Sequence, residues 1–86
     1  MPNYSENKRL AKIPVEFRTS VEQDLINIAL LIKTTRENQK IGQERLAEML
    51  QVDPTTIQGI EQLRVRPSLE LLLAITKVLK MKIVLE

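Results

Sequence analysis

Helical periodicity dominates the chain between residues 20 and 80. From Ser20 onward, apolar residues recur with the spacing of one helix face, and neighbouring apolar residues widen that face well beyond a single stripe. Ser20 is a suitable N-cap and Gln23 occupies the capping-box position, so we expect a helix from Ser20 to about Asn38. A helix this apolar needs burial on two sides, one against the core and the other against the N-terminal segment or a second subunit.

Three shorter helices are predicted after a turn at residues 39–42. Residues 43–50 are amphipathic. Asp53 and Pro54 begin the next helix, because aspartate caps a first turn and the missing N–H of proline costs nothing there. Ser68 caps a last helix that ends near Lys80. The side chains expected to face the core are Leu46, Ala47, Leu50, Val52, Ile57, Ile60, Leu69, Leu72, Leu73, Ile75, Thr76 and Leu79.

The two ends of the chain are expected to differ from this helical middle. Residues 1–19 form an N-terminal arm, in which Pro14 biases Ile13 toward an extended conformation and favours a short strand or ordered arm at 13–17. A frayed terminus is the alternative. Residues 81–86 form a C-terminal tail whose alternating β-branched residues predict a short strand, and a single strand needs a partner.

Composition removes several kinds of chemistry. The chain has 86 residues, which suits one small domain whose marginal core would benefit from oligomerisation. It contains no cysteine and no histidine, so the usual thiolate and imidazole ligands and the usual general base are missing. Two glycines are too few for a phosphate-cradling loop. We therefore expect neither an enzyme nor a metal or cofactor site.

Charge and hydropathy give weaker information about partners. The net charge is only +2, from 13 basic and 11 acidic side chains, so any DNA contact must depend on where the charges are placed. One tyrosine and one phenylalanine offer little stacking surface for RNA. No long apolar run or signal-peptide pattern is present, and we expect a cytoplasmic protein that does not contact a membrane.

Residues 41–61, IGQERLAEMLQVDPTTIQGIE, resemble the Cro/C1-type (XRE) helix-turn-helix family. The likeness continues upstream through Arg36 and downstream through RPSLELLLAITKVL, so it covers about residues 20–80. It implies an all-α, lambda-repressor-like bundle of four to five helices, with a C-terminal strand that can pair across a dimer. The positions that match the family pattern are Ile41, Gln43, Glu44, Leu46, Ala47, Leu50, Val52, Thr56, Ile57, Ile60 and Glu61.

Two positions depart from the family pattern. Gln51 stands where the turn usually has glycine, and a positive φ there would cost on the order of 1 kcal/mol. Leu63 stands where the family often ends the second helix of the motif with glycine. The exit from that helix, and the loop that follows it, could therefore differ from the family.

The resemblance implies that the outward face of the helix after Asp53 reads base edges in a major groove. Gln58 can pair with adenine through two hydrogen bonds, and Thr55 can meet a thymine methyl or hydrogen-bond a base. A plain solvated face is the alternative. The expected base-reading residues are Pro54, Thr55, Gln58, Gly59 and Gln62, with Gly59 leaving room for close approach.

The resemblance also implies a set of phosphate contacts. Gln43 begins a helix whose free N–H groups favour an anion. Arg36 is expected to form a structural ion pair with Glu61 that holds Arg36 near the DNA backbone, and a weak surface pair is the alternative. The expected phosphate contacts are Gln43, Arg36, Lys40, Arg64 and Arg66.

The function implied by the resemblance is sequence-specific regulation of transcription. We expect a repressor that binds a palindromic operator in double-stranded DNA as a homodimer. The terminal KMKIVLE resembles the tails of HipB- and HigA-like antitoxins, which favours an autoregulating antitoxin with a toxin partner. A stand-alone phage-type or chromosomal regulator, or a protein-interaction module on this scaffold, are the alternatives. The expected dimer interface is Leu71, Val78, Met81, Ile83 and Leu85.

Overall fold

Four helices make up the part of the chain that the computed structural model describes, residues 13–85. No strand occurs within these residues, which confirms the predicted all-α fold. None of the described helices combines the length and apolarity needed to cross a membrane. In chain order the helices are α1, Val15–Asn38; α2, Gln43–Leu50; α3, Pro54–Glu61; and α4, Leu69–Leu79.

Helix α1 begins five residues earlier than its sequence pattern predicts. Pro14 is the N-cap, and its carbonyl accepts the N–H of Phe17 at 2.9 Å. The predicted cap at Ser20 and the predicted strand at 13–17 are therefore wrong. Extending an existing helix costs far less than nucleating one, so residues 15–19 continue the helix back to the proline although they lack its apolar periodicity. The part of the predicted arm at 1–12 lies outside the described residues.

The boundaries of α2 and α3 agree with the prediction. Gly42 precedes α2 in an extended conformation, and Asp53 caps α3 by accepting the N–H of Thr55 at 2.9 Å. Pro54 opens α3. Between the two helices, Gln51 adopts φ 57°, the left-handed conformation that its position in the turn suggested.

All four helices end in the same way, although none of them ends in glycine. Lys40, Gln51, Leu63 and Lys80 have φ between 53° and 64°. At each end, one backbone N–H donates to the carbonyl five residues earlier, and the N–H before it donates to the carbonyl three residues earlier. This is the hydrogen-bond pattern of a Schellman motif. The exit from α3 at Leu63 therefore keeps this backbone conformation despite the bulky side chain.

The hydrophobic core lies where α2, α3 and α4 meet the C-terminal half of α1. Its fully buried members are Ile32, Leu46, Ala47, Ile57, Ile60, Ile75 and Leu79. Ala47 is small enough to let α2 approach its neighbours closely. Two leucines of α4 that were expected in the core, Leu69 and Leu73, are exposed instead, because the buried face of α4 follows Leu72, Ile75 and Leu79.

Residues 81–85 follow α4 and belong to neither a helix nor a strand, so the predicted strand is not formed within the described chain. Residue 86 lies outside the described residues. We refer to residues 62–68, which join α3 to α4, as the α3–α4 loop.

Candidate nucleic-acid interface

The first turn of α3 is open to solvent and carries uncharged side chains. Pro54 and Thr55 are exposed, Gln58 is half-buried, and Gln62 is exposed directly after the helix. Ile57 and Ile60 occupy the opposite, buried side. Four of the five predicted base-reading residues are therefore accessible, while the apolar side of α3 anchors the helix in the core.

Asp53 fixes both the start of α3 and the orientation of Thr55. Its Oδ1 accepts the backbone N–H of Thr55 at 2.9 Å and the hydroxyl of Thr55 at 2.7 Å. These two hydrogen bonds, the backbone one first, lower the pKa of Asp53. Because the Thr55 hydroxyl donates to Asp53, what it can offer a base is its methyl group and an acceptor lone pair.

Gly59 does not belong to the accessible surface, which corrects its predicted role in base reading. Gly59 is buried, and a Cβ built on it would lie 2.5 Å from Cγ2 of Val65 and 3.1 Å from its Cβ. The α3–α4 loop thus occupies the space that was expected to admit DNA. A helical pattern cannot reveal this, because the covering atoms come from a loop.

A buried ion pair joins the end of α3 to α1. Arg36 Nε donates to Glu61 Oε2 at 2.8 Å, and Nη2 donates to Oε1 at 3.0 Å. Only 9% of the Arg36 side chain and 3% of the Glu61 side chain are exposed, so the alternative of a weak surface pair is wrong. The hydrogen bond to Glu61 raises the pKa of Arg36.

The remaining polar atoms around this pair are also satisfied. Arg36 Nη1 donates to the carbonyl of Ile41 at 2.9 Å, and Gln43 Nε2 donates to Glu61 Oε1 at 3.0 Å. Within residues 13–85 no buried side-chain nitrogen or oxygen is left without a partner. The network therefore ties α1, α2 and α3 together through a single carboxylate.

This network involves two of the predicted phosphate contacts and argues against one of them. The guanidinium of Arg36 is directed inward and uses its Nε, Nη1 and Nη2 in the network, so it is not presented to a phosphate. The side-chain amide of Gln43 donates to Glu61, but Gln43 is only half-buried and lines a shallow depression at the start of α2, so its phosphate contact stays a prediction. What α2 offers an anion is the backbone of its first turn, where no side chain caps the helix.

Basic side chains stand on the surface around these helices. Arg64 in the α3–α4 loop and Lys40 after α1 are exposed, whereas Arg66 is half-buried. Arg45, which the sequence pattern did not single out, is exposed on α2 and pairs with Glu48. Arg45 lines a shallow depression at the start of α2, together with Gly42, Gln43, Glu44 and Glu48.

The predicted dimer residues fall into two groups. Leu71, Val78 and Met81 pack against the core of their own chain, so most of their apolar surface is already used. Ile83 is half-buried and Leu85 is exposed. The sequence prediction did not assign three other exposed apolar residues, Leu69, Leu73 and Val84, to the interface. We call the resulting patch the α4–tail surface, which comprises Leu69, Leu73, Val84 and Leu85 at 75%, 58%, 81% and 59% exposure.

Helix α1 carries a second exposed apolar patch on the side away from the core. Ile26, Leu30 and Leu31 are exposed there, and a shallow depression is lined by Asn27, Leu30, Leu31 and Thr34. We call Ile26, Leu30 and Leu31 the α1 outer surface. The buried residues of α1 are Ala29, Ile32 and Arg36, so the helix is apolar on both sides and is covered on one.

Comparison with known families identifies one match. A family model described as helix-turn-helix matches residues 32–85, which include the end of α1 and all of α2, α3 and α4. This span exceeds half of the 86-residue chain. Neither the curated proteins nor the solved structures gave a match. Within the described residues, no group of three or more acidic side chains is arranged to hold a metal ion.

Proposed function

The chain belongs to the Cro/C1-type helix-turn-helix family of DNA-binding regulators, and we propose that it is a repressor that reads a palindromic operator as a homodimer. The observation that carries this proposal is the first turn of α3. It is exposed and uncharged, yet α3 is held at its start by Asp53 and at its end by Glu61. A helix fixed in this way loses little conformational freedom when it enters a groove.

The chemistry of this turn suits the major groove. The side-chain amide of Gln58 can donate an N–H to N7 of adenine and accept an N6 hydrogen with its oxygen, forming two hydrogen bonds with one base. The methyl group of Thr55 is available for a thymine methyl, because its hydroxyl already donates to Asp53. Pro54 adds an apolar contact, and Gln62 lies one turn further along. Each good two-hydrogen-bond contact discriminates by about 1–3 kcal/mol.

Phosphate contacts would set the register of α3 in the groove. The uncapped first turn of α2 supplies backbone N–H groups, and Arg64, Arg66 and Lys40 supply charge. With a net charge of only +2, affinity depends on a few placed contacts rather than a broad basic surface. Each phosphate neutralised adds about 0.9 to the slope of log affinity against log salt concentration.

The α4–tail surface is the proposed dimer interface. Three of its four apolar side chains, Leu73, Val84 and Leu85, line a groove that reaches back to Ile28 of α1 and includes Ile83 of the tail. Residues 81–85 have no strand partner within the described chain, and a copy of the same segment could supply one. A two-fold axis there would present two α3 helices to the two halves of a palindrome.

Within this function, an autoregulating antitoxin with a toxin partner is the more specific proposal. It is supported by the likeness of KMKIVLE to antitoxin tails and by the α1 outer surface, which offers a second protein a place to dock. A stand-alone phage-type or chromosomal regulator is the sub-alternative, and a toxin gene beside this gene would distinguish the two.

A protein-interaction module is the second candidate function. The exposed Ile26, Leu30 and Leu31 favour it, because an apolar patch on a helix is commonly covered by a partner. On this hypothesis the helix-turn-helix serves as a scaffold, and any DNA binding would be weak and independent of sequence.

In vitro selection of genomic fragments at physiological salt, followed by sequencing, tests the proposed function. The wild-type protein should enrich a two-fold symmetric site. A variant with Thr55→Ala and Gln58→Ala should lose that site, whereas Gln23→Ala, an exposed amide on α1, should keep it. Enrichment of no site, or of the same site by the double variant, would contradict base reading by α3 and favour a protein partner.

A further inference from the structure

The α3–α4 loop folds back onto the middle of α3. Leu63 takes φ 64°, which reverses the chain at the end of the helix. The carbonyl of Gly59 then accepts two N–H groups from the loop, from Arg64 at 2.7 Å and from Val65 at 3.1 Å. The side chain of Val65 covers Gly59, which is buried. Gly59 therefore contacts the loop in two ways. Its carbonyl accepts two hydrogen bonds, and its lack of a Cβ leaves room for the Val65 side chain.

No larger residue fits at position 59 without moving the loop. A Cβ there would lie 2.5 Å from Cγ2 of Val65, closer than carbon atoms approach. Rotating the stiff valine side chain moves Cγ2 but leaves its Cβ at 3.1 Å, because that atom is fixed by the backbone. The backbone of Val65 is in turn held by the Gly59 carbonyl.

The presence of glycine inside α3 requires a reason, because it destabilises a helix by up to about 1 kcal/mol relative to alanine. The close approach of Val65 supplies that reason. The same loop borders an apolar groove of about 210 Å³, which is lined by Leu63, Val65 and Pro67 together with Leu25 and Ile28 of α1.

We infer that Gly59 is a positioning residue for DNA binding, which acts with Val65 to hold Arg64 at the C-terminal end of α3, the proposed base-reading helix. Arg64 is exposed and directly precedes Val65, so its backbone is set by the contact with Gly59. A phosphate contact from a fixed loop avoids the entropy of ordering that loop on binding. This inference rests on the proposed function, in which α3 enters the major groove.

The test compares Gly59→Ala, Val65→Ala, the double variant and Arg64→Ala on the duplex that the wild-type protein enriches most. Gly59→Ala should bind roughly three- to tenfold more weakly, and its salt slope should fall by about 1, as for Arg64→Ala. A merely structural defect would reduce the folded fraction and leave the slope unchanged. Adding Arg64→Ala to Gly59→Ala should cause little further loss, since the contact is already absent.

The double variant Gly59→Ala with Val65→Ala should recover most of the affinity and slope, because it removes the 2.5 Å contact with Cγ2 and leaves only the milder 3.1 Å contact with Cβ, which a small shift of the loop relieves. Amide hydrogen exchange gives a readout without DNA. The N–H groups of Arg64 and Val65 should exchange faster in Gly59→Ala and slow again in the double variant.

The inference about Gly59 would be overturned, with the proposed function left standing, by either of two results. One is wild-type affinity and salt slope in Gly59→Ala. The other is a Gly59→Ala, Val65→Ala variant that binds DNA no more tightly than Gly59→Ala. Failure of the wild-type protein to enrich any duplex would overturn the proposed function and this inference with it. Thermal unfolding of each variant shows whether the measured protein is folded.

Discussion

Removing Arg36 is the perturbation that tests the buried network most directly. In Arg36→Met the apolar stem is kept, but the guanidinium is lost with its charge and three hydrogen bonds, two to Glu61 and one to the carbonyl of Ile41. Glu61 remains a carboxylate whose side chain is 3% exposed, with Gln43 as its remaining hydrogen-bond donor in the network.

The expected loss follows from this burial. Breaking a buried ion pair by removing one partner destabilises a protein by about 3–5 kcal/mol, whereas an exposed pair contributes about 0–1 kcal/mol. Small domains have a free energy of unfolding of about 5–15 kcal/mol, so the loss is a large part of the total. The melting temperature should fall by at least about 12 °C.

Urea unfolding followed by circular dichroism measures this loss, at fixed protein concentration because a dimer is stabilised by association. The control is Arg36→Met with Glu61→Met, which removes both charges and should recover most of the stability. If Arg36→Met lowers the free energy of unfolding by less than about 1 kcal/mol, the reasoning is refuted, because an exposed ion pair contributes that much.

The same double variant tests whether Arg36 contacts DNA. Because the guanidinium is directed inward, the folded double variant should retain the salt slope of the wild type, even if the loss of Glu61 at the end of α3 lowers its affinity. A folded variant that loses affinity and one unit of salt slope would mean that Arg36 reaches a phosphate after all.

Three further outcomes are expected. Lys80→Gly should raise the free energy of unfolding by about 0.5–1 kcal/mol because Lys80 has φ 53°, whereas Lys77→Gly inside α4 should lower it by about 1 kcal/mol; urea unfolding distinguishes them. If the wild type sediments as the proposed dimer, Leu73→Asp on the α4–tail surface should give a monomer, whereas Leu30→Asp on α1 should sediment like the wild type. Hydrogen bonds from Thr55 lower the pKa of Asp53 from its ordinary value of 3.8. The ionised Asp53 therefore stabilises the fold above pH 3.8, and this stabilisation is lost as pH falls through the lower pKa of the folded state. Below pH 3.8, the free energy of unfolding measured in urea should depend less on pH in Asp53→Asn than in the wild type. Equal glycine effects, a monomeric Leu30→Asp protein or an unchanged acid profile would contradict the respective reasoning.

Local sequence signals predicted α2, α3 and the end of α1 well. Asp53 and Pro54 act within one turn of themselves, and Gln51 takes its left-handed conformation from the short connection between two helices. The start of α1 was less predictable. Ser20 and Gln23 have the right spacing for a capping box, but a continuing helix needs no cap, and Pro14 could begin it earlier.

The candidate site was predicted less completely than the fold. The contact between Arg36 and Glu61 has a sequence signal in the family pattern, but its burial depends on α2 closing over it through Gln43. The surplus of leucines in α4 indicated an exposed apolar face, although the sequence assigned Leu69 and Leu73 to the core.

The sequence by itself determined the all-α fold and the family, because capping, periodicity and short turns are local interactions that the order of residues specifies directly. Only the tertiary structure decided which polar side chains remain for DNA. Gly59 is covered by a loop residue six positions later, and Arg36 is turned inward by a carboxylate 25 positions away. Such contacts depend on how the elements pack in space, so no periodicity along the chain could reveal them.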